Sequence, residues 1–449
     1  MSIIAAIATG NNPTAIGIVR VSGAGCFALC DAVFQGKHPL SQATPRTMVY
    51  GDMLDELGQV IDRGLAVRFV APHSYTGEDS VEFFCHGSPV VMQALLRGLF
   101  AQGAQQAKAG EFTQRAFLNG QLDLTQAQGV IDLIHSETVE AAKHAVAQVS
   151  GTLRRDFSTI YDGLLDISSQ FYAVVDYPDE DIEDLNITDI QRTLDTSAQT
   201  LRRLLQTCNR GQILKSGVPT AIVGRPNVGK SSLLNALLGY DRAIVTHVAG
   251  TTRDTLEERV VCGGVLLRLI DTAGIRDTLD PIEAMGVERS KEAVSQADLA
   301  LVVLDGSQSF TSADQEAIDL ALQAPHTLVV VNKTDLQQAI SLPELPCSVV
   351  SLCAKEGLGL GELESAVAMC YPTGDVPAGQ MITDLRQQEA VQQAYDAISR
   401  GQEGLAMGLT PDAILTDMEE ALTAMGNLTG KTASDDIVGR LFERFCVGK

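Results

Sequence analysis

Two periodicities divide this chain. Within residues 122–175, the run "TQAQGVIDLIHSETVEAAKHAVAQVSGTLRRDFSTIYDGLLDISSQFYAVV" repeats apolar positions at i, i+3 and i+4. That spacing lines one face of an α-helix and predicts long helices with a buried stripe. Residues 384–449 carry the same spacing. Between these stretches the pattern changes. "TAIV" (220–223), "LLRLI" (266–270), "LALVVL" (299–304) and "TLVVV" (327–331) are largely apolar runs of strand length, and predict buried strands. "NRGQILKSGVP" (209–219) leads into this region and "MCYPTGDVPAGQM" (369–381) leads out of it, each rich in breakers.

The length of 449 residues points to about three domains. With 45% hydrophobic and 20% charged residues, the composition is that of a globular protein with room for buried cores. No internal repeat or low-complexity tract breaks the chain. Its apolar runs fall far short of a membrane span, and "MSIIAAIATGNNP" lacks the basic start and long apolar stretch of a signal peptide. The expectation is a soluble cytoplasmic protein with no membrane role. Nine cysteines without a C-x-x-C pair point to reduced thiols, mostly small core residues. No His/Cys cluster has zinc spacing, so no structural metal is expected.

Charge narrows the field further. The chain carries 33 basic against 56 acidic residues, a net −23. Autonomous nucleic-acid binders neutralise phosphates with a basic footprint. Any work on RNA must therefore use a local patch or be shared with a partner.

The sharpest chemistry lies at 224–231, "GRPNVGKS". A short strand runs into G-x-x-x-x-G-K-S and helical periodicity follows, which is a P-loop in its required context. Backbone N–H groups of Asn227, Val228, Gly229, Lys230, Ser231 and Ser232 can close around phosphates. Lys230 can reach the β- and γ-phosphates, and Ser231 can offer its hydroxyl to Mg²⁺. "AGTTRD" then supplies Thr251 and Thr252, one of which would complete the Mg²⁺ shell. "LLRLIDTAG" ends in Asp271, Thr272, Ala273 and Gly274, with the acid behind the metal and the glycine beside the γ-phosphate. "LVVVNKTD" brings Asn332, Lys333 and Asp335. An amide there meets the acceptor edge of guanine, and a carboxylate accepts from its N1–H and exocyclic amine. Adenine lacks that donor pair, so the substrate is GTP. "SLCAKEG" places Cys353 where a serine is usual. In this order the pieces resemble the translation-factor-related class of GTPases over about residues 215–375.

One position departs from the Ras pattern. The residue after DTAG is Ile275, where Ras-like enzymes keep a glutamine that aims the attacking water. An arginine supplied in trans is one remedy. Asn227, inside the P-loop, suggests another: its amide could hold a monovalent cation against the phosphates, with backbone before Thr251 wrapping it. The plainer reading of Asn227 is a residue that tolerates a tight turn. Glu283, a few residues on, could accept from the water as orienter or general base. It could equally be a solvated glutamate favoured by a helix start.

The flanks weigh on these alternatives by likeness. "YTGEDSVEFFCHGS" (75–88), "GEFTQRAFLNGQLDLTQAQGVIDLI" (110–134), "DYPDEDI" (176–182) and the tail "SDDIVGRLFERFCVGK" resemble the MnmE (TrmE) family of tRNA-modification GTPases over essentially the whole chain. The resemblance implies a multidomain α/β plus all-α architecture. An N-terminal α/β domain (1–118) binds a one-carbon tetrahydrofolate and forms a homodimer. A discontinuous helical domain (119–212 and 378–449) carries an inserted Ras-like P-loop GTPase domain (213–377). It further implies K⁺ activation by G-domain dimerisation, and an FAD-dependent partner of the MnmG type. Together they place a carboxymethylaminomethyl or aminomethyl-type group on C5 of the wobble uridine of certain tRNAs.

By the same resemblance Asn227, Thr246, Val248 and Thr251 are the K⁺ positions, and Ser231 and Thr252 the Mg²⁺ ligands. Glu283 orients the water through a second water. Arg20, Glu82, Gln121 and Lys449 line the folate pocket, although many members have lysine where this chain has Gln121. Without the likeness, Arg20 and Glu82 read as a surface ion pair. Cys446, near the end of a helix predicted to start at Ser434–Asp435, faces the folate in the family as a proposed catalytic thiol. By local chemistry it is a packing residue, since no base lowers its pKa. "DYPDEDIEDL" lacks the spacing of an EF-hand and reads as a solvated connection between helices.

Three functions compete. One is a K⁺-activated GTPase driving wobble-uridine modification. The second is a GTPase switch in ribosome assembly, which the acidic charge and the lack of a KH-type motif oppose. The third is a folate-dependent one-carbon enzyme with the G domain as regulator.

Overall fold

The computed structural model describes residues 2–10, 12–176, 186–240, 258–270, 290–372, 376–432, 441–442, 445 and 447–448. They form two compact units, one of residues 1–131, 148–198 and 393–449 and the other of 132–147 and 199–392.

The first unit opens with strands β1 (Ile4–Ile7), β2 (Thr14–Ser22), β3 (Phe34–Gly36), β4 (Val49–Leu54), β5 (Val60–Phe69), β6 (Ser80–Gly87) and β7 (Gln105–Gln106). Among the described residues they make one sheet in the order β3-β4-β5-β6-β2-β1-β7, antiparallel except where β7 runs parallel to β1. Alternation does the sorting. Val81, Phe83 and Cys85 of β6 point into the core with Val19 and Val21 of β2. Glu82 and Arg20, one residue out of phase, share the opposite face. Helix Pro89–Ala101 buries Met92, Leu95, Leu96 and Leu99 on the core side, a stripe at helical spacing.

Downstream, helix Thr152–Asp176 buries Leu153, Phe157, Ile160, Leu164, Ile167 and Phe171. Helix Pro411–Thr429 packs against it with Ile414, Met418, Ala421 and Met425 buried. The helical stretch expected over 122–175 is three helices, Leu124–Ile134, Val139–Val149 and Thr152–Asp176. The breaks have local causes. The Ser136 hydroxyl donates to the Asp132 carbonyl (2.6 Å) in place of a helical N–H, and Thr138 Oγ1 caps the next helix by accepting from Ala141 N (3.1 Å). Gly151 takes φ 82°, the left-handed geometry that ends a helix. The acidic connection at 177–185 and the helix expected from Ser434 lie outside the described residues.

The second unit contains β8 (Val218–Val223), β9 (Glu258–Cys262), β10 (Val265–Leu269), β11 (Leu299–Asp305), β12 (His326–Asn332) and β13 (Ser348–Ser351). Among the described residues the order is β13-β12-β11-β8-β10-β9. All neighbours are parallel except the β9–β10 hairpin. Gly263 and Gly264 turn that hairpin with φ 60° and 79°, the pair of positive values a type I′ turn requires. The central strands are buried on both faces, which is why their sequences read as unbroken apolar runs. In such a sheet ligands gather at the carboxyl ends of the strands, where β8, β11, β12 and β13 deliver their loops.

Candidate functional site: a phosphate and guanine cradle

At the end of β8 the chain turns through Gly224, φ 143°. A Cβ there would stand 2.3 Å from Val303 O, so only glycine lets the loop lie against β11. Asn227 takes φ 65°, a conformation asparagine tolerates better than most residues; the turn-forming part of its role is observed directly. Gly229, φ 103°, would drive a Cβ to within 2.1 Å of Asn332 Nδ2. Helix Lys230–Tyr240 follows at once, pointing its N-terminal amides at whatever the loop encloses.

Lys230 folds back over the loop, Nζ donating to Gly224 O (2.7 Å) and Arg225 O (2.8 Å). Burial holds its ammonium below the ordinary lysine range. An anion in the loop offers that charge a better partner than two carbonyls. Ser231 and Ser232 open the helix.

The guanine-reading loop is braced against this cradle. Asn332 Nδ2 donates to Val228 O (2.9 Å) while its Oδ1 accepts from Ala354 N (3.0 Å). The amide is thus oriented from both sides. Lys333 Nζ donates to Asn227 O (2.9 Å) and to Asp305 Oδ2 (2.6 Å). Asp335 is exposed, and its Oδ1 accepts from the Cys353 thiol (3.2 Å). A sulfur thus stands at the position usually held by a serine hydroxyl.

Three supports escaped the sequence reading. Asp305 ends β11 and is buried. Burial works to raise its pKa, but hydrogen bonds from Lys333 and Ser307 hold it below the usual carboxylate value. An acid closing an apolar strand was the available signal. Arg225 Nε meets Asp314 Oδ1 at 2.5 Å, and Asp314 Oδ2 accepts from Thr311 N and Oγ1. Asp314 is fully buried, so the P-loop is tied by charge to the start of helix Ser312–Ala321. Ala354 supplies the third support through its backbone, which no residue type announces.

Thr246, Val248, Thr251, Thr252, Asp271, Thr272, Ala273, Gly274, Ile275 and Glu283 lie outside the described residues. What is described fits a nucleotide: left-handed glycines where a Cβ would clash, a half-buried lysine and an Asn332 amide held in one orientation beside them.

A second constellation lies in the first unit. Arg20 and Glu82 are register partners across β2 and β6, and Arg20 Nε donates to Glu82 Oε1 at 2.8 Å. The guanidinium lies 5.4 Å from the Tyr75 ring centre and 5.6 Å from that of Phe112, and its Nη1 donates to Gly448 O (3.4 Å). The chain terminus thus reaches this sheet, helped by a bridge between Ala109 and Val447. Gln121 is exposed beside Gly77; Cys446 and Lys449 are outside the described residues. A half-buried carboxylate and a guanidinium thus meet beside the partly exposed Tyr75 ring, with Phe112 buried beneath them.

The sheet, the glycine-rich loop and the guanine-reading loop define a P-loop protein of the GTPase class. The comparisons are more specific. A family model described as "MnmE helical domain" matches residues 124–446, and one described as "GTP-binding protein TrmE N-terminus" matches residues 3–121. A tRNA modification GTPase MnmE of Lactobacillus delbrueckii subsp. bulgaricus is 42% identical over 99% of this chain and 98% of its own. One of Lactiplantibacillus plantarum is 41% identical over the same shares. Era of Aquifex aeolicus, solved with GDP and aluminium fluoride, is 30% identical over 40% of this chain and 65% of its own, with a TM-score of 0.26. The chain belongs to the MnmE (TrmE) family.

Proposed function

We propose that this chain is a GTP hydrolase of tRNA modification whose turnover is activated by potassium. The observation that carries the reading is the brace from Asn332 to Val228, which locks a guanine-selective loop to the phosphate cradle.

GTP enters with its base against Asn332 and Asp335 and its phosphates along 227–232. Lys230 exchanges its carbonyl partners for phosphate oxygens. Ser231 and Thr252, with Asp271 behind them, would hold Mg²⁺, which neutralises charge on the β- and γ-phosphates. Asn227, Thr246, Val248 and Thr251 would hold K⁺, which supplies positive charge where other GTPases use an arginine. Glu283 orients the water that Ile275 cannot. Attack on the γ-phosphorus breaks its bond to the β–γ bridging oxygen and releases phosphate and GDP.

The same proposal has two subunits dimerise through the N-terminal domain, with their G domains meeting during turnover. Arg20, Glu82, Gln121 and Lys449 hold a one-carbon tetrahydrofolate. With an FAD-dependent MnmG-type partner, the cycle drives aminomethyl-type modification of the wobble uridine of tRNA. Family membership, the Arg20–Glu82 pair and its aromatic surround support this reading.

The test is steady-state GTP hydrolysis in KCl against NaCl at matched ionic strength. Stimulation of about tenfold or more by K⁺ is expected for charge placed at the γ-phosphate. Equal, slow rates in both salts would replace the cation with an arginine from a partner. Glu283→Ala should slow turnover by roughly 10²-fold with GTP affinity kept. Unchanged turnover removes Glu283 from the mechanism.

A further inference from the structure

Residues 132–147 lie well upstream of the P-loop in the chain, yet they pack as part of the unit that contains it.

Their contacts are of two kinds. One kind is buried. His144 Nε2 accepts the backbone N–H of Met381 at 3.1 Å, in the segment where the chain leaves the GTP-binding fold. The ring must be neutral to accept there. Burial pushes its pKa down to about 4, against an opposing pull from Asp132. Around it, Asp132 receives Lys215 Nζ (2.9 Å) and Thr383 Oγ1 (3.2 Å), while Lys215 also pairs with Asp384 (3.5 Å). Ile382 N donates to Thr207 Oγ1 (3.2 Å), and a Cβ on Gly211 would stand 2.0 Å from Ile382 O. The segments leading into and out of the GTP-binding fold are thus fastened to each other and to residues 132–147.

The other kind is exposed. Glu137, in the turn before helix Val139–Val149, pairs with Arg259 Nη1 at 2.6 Å. Arg259 is the second residue of β9, and β9 is hairpinned to β10, the parallel neighbour of β8, which runs into the P-loop. In sequence, β9 follows residues 246–252. An exposed pair of this kind is cheap to make and break. The buried His144 bond is not, because opening it orphans a backbone donor.

We infer that residues 132–147 are a coupling strut. It is permanently fastened through His144 and reads the position of β9 through the Arg259–Glu137 pair, so that GTP turnover is passed to the modification chemistry. The inference rests on the reading that GTP hydrolysis drives tRNA modification. Coupling through a contact that both states can bias needs no change at the phosphate site itself.

The experiment uses the full chain. Arg259→Glu, Glu137→Arg, the double reversal and His144→Phe are each made the only copy in the cell. Wobble-uridine modification is measured in tRNA, and GTP hydrolysis on the purified proteins. Arg259→Glu should hydrolyse GTP within about twofold of the parent chain while modification falls about fivefold or more, the lower range of a coupling effect. The double reversal should restore it. His144→Phe should lose modification without rescue; if it does not fold, the charge reversals still decide. Unchanged modification in Arg259→Glu, a parallel fall in GTP hydrolysis, or failure of the double reversal to rescue overturns the strut. Full modification by a Lys230→Ala chain overturns the parent reading instead.

Discussion

Asn332 shows how much one amide can carry. Its oxygen is held by Ala354 N and one of its N–H groups by Val228 O, so the direction in which it meets a base is set before any base arrives. The sequence motif predicts the contact to guanine but says nothing of the brace. Asp305 is a comparable case with a testable pH signature. Its carboxyl lies below the ordinary value in the folded chain. A depressed carboxylate contributes stability that is present above its unfolded pKa and is lost as pH falls through the folded one. Asp305→Asn should therefore lower the unfolding midpoint at neutral pH, and the gap to the parent chain should narrow as pH falls below about 4. Urea denaturation at a series of pH values reads this. A gap independent of pH would mean that Asp305 acts through shape and not through charge.

At the scale of elements, the strands of the GTP-binding sheet were legible because burial on both faces writes itself into sequence as unbroken apolar runs. The helices were less so. Periodicity continues across 135–138 and 150–151, yet hydroxyls of Ser136 and Thr138 and the left-handed Gly151 cut the stretch into three. Periodicity reports a face, not the caps that end it. Helix Ser312–Ala321 makes the same point at its start, where Asp314 both caps the helix and holds Arg225 of the P-loop. Asp314→Ala should cost about 3–5 kcal/mol, the usual penalty for leaving one partner of a buried pair alone. It should also weaken GTP binding, because the loop loses its anchor. Equilibrium unfolding and nucleotide titration check the two effects separately; loss of stability with unchanged GTP affinity would confine Asp314 to the helix.

At the scale of the whole molecule, the chain's last residues return to its first sheet. Arg20 donates to Gly448 O, and Val447 bridges Ala109. Gly448 takes φ 101°, and a Cβ on it would stand 2.3 Å from Ile7 O, so the tail lies close against β1. Deleting residues 447–449 should lower affinity for a tetrahydrofolate, measured by calorimetry, while the KM for GTP stays unchanged. Equal folate affinity with and without the tail would remove it from the site.

Sequence alone determined what depends on neighbours in the chain. The P-loop, the N-K-x-D and S-A-K-like loops, the buried strands and the helical stripes all follow from local spacing, and the family is visible in motifs that are contiguous. Tertiary structure decided which distant residues became partners: Arg225 with Asp314, Lys333 with Asp305, Arg20 with Gly448, His144 with Met381. Each of these pairs joins segments separated by tens to hundreds of positions. Their attraction becomes strong only after folding removes water from around them, and no periodicity in a linear chain records a dielectric it has yet to create.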